Sequence, residues 1–225
     1  MNFAHLQLLD SALPIGAFSH SFGLETLVQE GRIASADDVR AFCQTTLHAV
    51  WAPCDAMAIK AVYQWATPEH FEQLWAFDHL LHVARAPGET REGTRKIGKR
   101  LLSLCRALHP QLDWEPPERA VFEGKCVGAL PTIHGWACHQ LGVSLDEATT
   151  GFLFGCLNAS VNNAVRAMRL GQTDGQKIIA ALAPEIEKAW IEVESRNVED
   201  FAAKAPVLEI AQMRHERLYS RLFMS

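Results

Sequence analysis

The sequence predicts an all-α, single-domain helical bundle. Apolar residues recur at helical spacing along its length, helix-start and helix-stop residues punctuate that spacing, and neither alternating strand patterns nor Asn-Gly hairpins occur. Ser35 with Asp38 forms a capping-box start, after which Val39, Phe42, Leu47 and Val50 fall on one helical face. Pro53 is expected to open a new segment. Thr67, Pro68 and Glu69 supply a cap, a first-turn proline and a first-turn acid ahead of an amphipathic stretch carrying Phe71, Leu74, Trp75 and Leu81.

Beyond Pro87 and Gly88 a helix is expected from about Thr90 to Leu108, ended by His109-Pro110, with Trp114 to Pro117 as a loop. Ser144 and Glu147 form the clearest capping box of the chain. It opens a long segment reaching Leu170, with Gly171 as its stop. Gly151, Gly155, Ala159 and Ser160 in that segment are small enough for close helix contact, which places it in the middle of the bundle. Asp174 restarts the chain, and Pro184 is expected in a first turn ahead of the stripe Ile186, Ala189, Trp190 and Val193. No repeat or long linker divides residues 1–225, so one helical domain is expected.

The chain has 225 residues, enough to bury roughly 70–75% of its unfolded surface without a metal or disulfide staple. An apolar fraction of 48% with 21% charged residues excludes global disorder. A net charge of −5 gives no overall attraction to nucleic acid or an anionic membrane. The amino end lacks the pattern of a signal peptide, and no apolar run approaches membrane-spanning length, so a soluble cytoplasmic protein is expected. The six cysteines form no C-x-x-C pair and are expected as buried or semi-buried thiols.

Candidate chemistry is sparse. Gly93 to Lys99 fits G-x-x-x-x-G-K, but Arg100 follows where a phosphate loop needs a hydroxyl, no strand precedes it, and the segment lies inside an expected helix. Ser19 to Gly23 approaches a nucleophile elbow but has serine in place of the first glycine and lacks the strand-turn-helix setting. His79 and His82, three apart beside Asp78, could share a helix face and hold a divalent ion, the basis of an alternative reading as a metal-dependent hydrolase. His134 and His139, five apart, are worse placed. None of these sites is assigned a catalytic residue, a metal or a cofactor.

Two features point to protein partners instead. Residues 85–106 hold seven cationic side chains against two acidic ones, a net +5 in an acidic protein, without the interleaved aromatics of a single-strand nucleic-acid site. Both ends of the sequence are apolar: Leu6, Leu9, Leu13, Ile15, Phe18, Phe22 and Leu24 at one, Leu218, Tyr219, Leu222, Phe223 and Met224 at the other. Either the ends pack on their own core, or they await a partner. The second group alone could withdraw several hundred Å² of apolar surface, on the order of 10 kcal/mol gross before ordering costs.

Four blocks carry a family resemblance. Leu8 to Glu25 (LLDSALPIGAFSHSFGLE) resembles the amino-terminal signature of the urease accessory proteins of the UreF family. Thr90 to Leu102 (TREGTRKIGKRLL) is similar to the family's middle motif, Leu170-Gly171-Gln172 to the close of its long helix, and Met213 to Ser225 (MRHERLYSRLFMS) to its carboxyl end. Gly93 and Thr94 depart from the family pattern, and residues 109–127 match no family motif.

The resemblance implies an all-helical, homodimeric accessory protein without chemistry of its own. Such a protein binds UreD (also called UreH), recruits the GTPase UreG with it, and regulates GTP-dependent nickel insertion into apo-urease. Nickel then belongs to the client urease and GTP to UreG, so no cofactor is expected here, and neither nucleic acid nor membrane is a partner. By the same resemblance the amino-terminal segment (about 1–28) and the carboxyl tail (about 213–225) dock UreD, which assigns Phe18, Phe22, Leu24, Tyr219, Arg221, Leu222, Phe223 and Met224 to that interface. Arg91, Arg95 and Arg100 are assigned to dimer or GTPase docking. The remaining alternative is a generic α-helical interaction regulator.

Overall fold

Why the chain forms the bundle it does is clearest at Ser144. In the computed structural model, which describes residues 2–225, the Ser144 hydroxyl accepts from the Glu147 amide while the Glu147 carboxylate accepts from the Ser144 amide, starting α9 (Leu145–Ala167). Helix α9 lies at the centre, against α4 (Ala56–Trp65), α8 (Leu130–Gln140), α10 (Gln172–Glu194), α2 (Leu24–Gln29) and α3 (Ala36–Thr46). Helix α4 is apolar nearly all round, so it is buried from Ala56 to Val62. Gly135 lets α8 approach it, since a Cβ there would lie 3.1 Å from the Ile59 Cα. The remaining helices are α1 (Phe3–Leu8), α5 (Phe71–Ala84), α6 (Gly88–Leu108), α7 (Glu115–Phe122) and α11 (Pro206–His215). No strand occurs among the described residues, and the fold is the expected all-α bundle. Among the described residues no helix is long and apolar enough to cross a membrane.

The Ser35–Asp38 capping box forms at α3 as expected. Three expectations about prolines fail. Pro53 does not open a segment: α3 runs into wide π-helical turns over Leu47–Asp55 and then into α4, with Pro53 inside. The widened turns accommodate a residue that cannot donate to the helical ladder. Trp114 to Pro117 is not a loop, because Pro116 and Pro117 occupy the first turn of α7, where an amide is not needed. Pro184 lies inside α10 instead of starting a helix. It is on the exposed face, where water can take the carbonyl it frees. Gly171 likewise is not the stop of α9. The chain turns extended at Met168, and Gly171 is the N-cap of α10.

Two buried polar groups fix the packing of this frame. Lys60 donates 2.6 Å bonds to the carbonyls of Glu194 and Arg196, closing the C-terminal end of α10, where a cation is favoured. Asp78 on α5, 1% exposed, accepts from the amides of Val127 (2.7 Å), Gly128 (3.0 Å) and Ala129 (3.3 Å), from the Thr132 hydroxyl (2.6 Å) and from the Cys126 thiol (3.1 Å). It thus ties α5 to the strap that enters α8. Helix α6 presses on the same strap: a Cβ at Gly98 would lie 2.1 Å from the Gly128 carbonyl oxygen. The glycine of the apparent phosphate loop is therefore a packing glycine in mid-helix. All six cysteines are free, and five are buried.

Candidate docking face

The two apolar ends of the sequence come together. Residues 13–23 wind through left-handed turns at Gly16 (φ 84°) and Gly23 (φ 93°), a conformation in which glycine avoids the Cβ clash. Gly23 also lies against α11, since a Cβ there would be 2.9 Å from the Gln212 Cγ. Helix α2 follows and buries Leu24, Glu25, Thr26 and Leu27. Helix α11 packs on α2 and α6, after which residues 218–225 run back across the start of α2 without regular structure.

Backbone bonds fix this tail. The Ser225 carbonyl oxygen accepts from the amides of Ser21 (2.5 Å) and Phe22 (3.1 Å), and the Met224 amide donates to the Ser19 carbonyl (2.7 Å). The Glu25 carboxylate accepts from the amides of Leu222 (2.6 Å) and Phe223 (3.1 Å). His215 completes the clasp. Its imidazole is fully buried, with Nε2 3.0 Å from Glu25 and Nδ1 2.7 Å from Glu89, and Glu89 also accepts from Arg221 (2.8 Å). One imidazole thus joins α2, α6 and α11 beneath the tail.

Burial divides the expected interface residues into two groups. Leu24 and Phe223 are buried, and Phe22 is half-buried at φ 49°. The Phe223 ring lies under Arg166, whose Cζ stands 4.8 Å from its centroid and 6.0 Å from that of Phe18. Tyr219, Leu222, Met224 and Phe18 are left exposed, at 105%, 53%, 57% and 59%. A face of this kind, apolar and rimmed by Arg221 and Arg166, is what a protein partner can cover. Behind it a cavity of about 350 Å³, with Leu13, Phe18, Phe22, Phe152 and Asn163 in its lining, separates the amino-terminal segment from the bundle.

The basic helix is largely occupied by its own chain. Arg85 pairs with buried Asp55, Arg91 donates to the carbonyls of Arg85 and Ala86, Arg95 pairs with Glu92, Arg100 donates to the Pro14 carbonyl, and Arg106 pairs with Glu118. The Asp78, His79 and His82 cluster does not form a site: the Asp78 carboxylate is taken by the 126–132 strap, and His79 Nε2 meets the Gly124 carbonyl. His134 and His139 also diverge, His139 standing edge-on to Tyr63 and His134 beside Cys138. Sequence reasoning missed the His215 clasp and the Asp55–Arg85 pair, whose partners are far apart in the chain. For the contact of His134 with Cys138 a signal existed, since i, i+4 places them on one helix face.

Residues 33–183 match the family model named UreF. The chain is 35% identical over 219 residues to the urease accessory protein UreF of Bacillus sp. (strain TB-90), covering 97% of this chain and 96% of the relative. It is 34% identical to that of Lachnoclostridium phytofermentans over 98% of this chain and 96% of the relative. The corresponding protein of Geobacillus kaustophilus is 36% identical over the same shares. The likeness thus runs from the amino-terminal turns through the bundle to the clasped tail, and the chain belongs to the UreF family of urease accessory proteins.

Proposed function

We propose that this chain is a scaffold for urease maturation. It binds UreD (UreH) through the assembled ends, with UreD recruits the GTPase UreG, and regulates GTP-dependent nickel insertion into apo-urease. The observation that carries this reading is the tail: residues 218–225 are pinned to the amino-terminal segment, yet Phe18, Tyr219, Leu222 and Met224 face outward. Leu24, Phe22 and Phe223 then act by shaping the face, and Arg221 orders it through Glu89. Nickel is cargo bound for the client enzyme and the nucleotide belongs to UreG, so this chain contributes affinity and geometry.

Regulation in this scheme is differential binding. A scaffold that holds one nucleotide state of UreG more tightly shifts the population toward that state and couples hydrolysis to nickel release. A homodimer would present two such docking faces. Arg91, Arg95 and Arg100 are proposed at the dimer or GTPase contact, where substituting Arg95 frees only an exposed ion pair with Glu92 and so reports docking most cleanly.

Purified full-length chain mixed with purified UreD is expected to elute as one complex in size-exclusion chromatography and to take up UreG when GTP is added. Separate elution of chain and UreD at micromolar concentrations would overturn the reading. A generic helical regulator, the alternative class, predicts that outcome.

A further inference from the structure

His134 and Cys138 stand one helical turn apart on α8, with the Cys138 Sγ 3.3 Å from the His134 Nε2. Across from them α1 brings His5, and one ligand atom from each of the three residues lies within 4.8 Å of the others. The His5 Nε2 is buried and has no hydrogen-bond partner. A buried nitrogen left unpaired costs about 1–3 kcal/mol, which an ion bound at this nitrogen would recover. The slot that admits this ring is also specific: Gly151 of α9 lies beside it, and a Cβ there would stand 3.0 Å from the His5 Nε2.

We propose that His5, His134 and Cys138 form a site for a borderline-soft divalent transition ion of the Zn²⁺ class, which staples α1 to the bundle. Two imidazoles and a thiolate suit such an ion, whereas Mg²⁺ and Ca²⁺ take oxygen ligands. Bonds of about 2.0–2.3 Å place tetrahedral nitrogen and sulfur ligands about 3.3–3.5 Å apart, so closing a site whose ligand atoms lie within 4.8 Å needs small side-chain rotations. On binding, the Cys138 S–H bond breaks, its proton leaves to solvent, the sulfur pair forms the metal bond, and no electron is transferred. The His134 Nε2 lies 3.2 Å from the Ala148 carbonyl and as an N–H donates to it; on metal binding this bond is given up, the ring's proton moves to Nδ1, and the Nε2 lone pair takes the ion. Water completes the fourth position.

The staple has a physical purpose. Helix α1 is six residues long, too short to hold together alone, and only His5 and Leu8 of it are buried. None of the three residues is among the side chains assigned to UreD docking, so metal binding and docking are measured separately and either proposal can fail without the other.

The test uses full-length chain stripped with a chelator and titrated with Zn²⁺ against a chromophoric chelator, with Co²⁺ as an optical reporter. One ion per chain, a thiolate-to-cobalt charge-transfer band and a raised melting temperature are expected, with no response to Mg²⁺. Cys138→Ser should abolish the band, and His5→Ala should weaken Zn²⁺ binding at least tenfold. The double variant H79A/H82A should bind as the parent does. Helix content by circular dichroism shows whether each variant folds. His5, on a short peripheral helix, carries the test if Cys138→Ser does not. No stoichiometric ion, or parental affinity in His5→Ala, would overturn the site.

Discussion

Asp78→Ala is expected to destabilise the bundle by at least about 4 kcal/mol, because it strips one acceptor from several buried donors at once. Three backbone amides, a hydroxyl and a thiol converge on this carboxylate. Each buried donor left unpaired costs about 1–3 kcal/mol, and relaxation recovers only part of that. Asp78→Asn should be nearly as damaging. Its amide keeps one acceptor oxygen and points an NH₂ group at amides that also donate. Urea unfolding followed by circular dichroism measures both. A loss below 1 kcal/mol for either variant would show that the 126–132 strap does not depend on this residue.

His215→Ala is expected to cost about 3–5 kcal/mol by leaving the facing carboxylates of Glu25 and Glu89 without the group between them. For a chain of this size that lowers the melting temperature by on the order of 10 °C. The chain can limit the loss by letting the tail go, so the damage should be local. Amide exchange at Leu222 and Phe223, which donate to Glu25, should accelerate far more than exchange in α9. Unchanged protection of those two amides would contradict the clasp. Weakened UreD binding should accompany the freed tail.

What the sequence makes legible is the short-range part. Both capping boxes are visible because Ser35 with Asp38, and Ser144 with Glu147, lie three residues apart. Prolines mislead because their local rule is conditional: Pro53 is absorbed by π-helical turns and Pro184 by solvent. The clasp is invisible for a different reason. His215 meets residues 126 and 190 positions away, and no periodic pattern encodes such a pairing. That the ends are apolar could be read directly, and the resemblance assigned them to docking. Which of their side chains turn inward could not, since the tail has no regular structure and the burial of Phe223 beside exposed Leu222 follows no helical or strand period.

UreD docking on the assembled ends is the step on which the rest of the proposed scheme depends. It is tested most directly by measuring the affinity of purified UreD for the full-length chain and for a chain lacking Leu218 to Ser225, with helix content and dimer formation checked in both. The deletion removes Tyr219, Leu222 and Met224 and leaves the core helices untouched. UreD binding is expected to be abolished, while helix content and dimer formation are largely retained. Full retention of UreD binding by the truncated chain would contradict docking on the assembled ends.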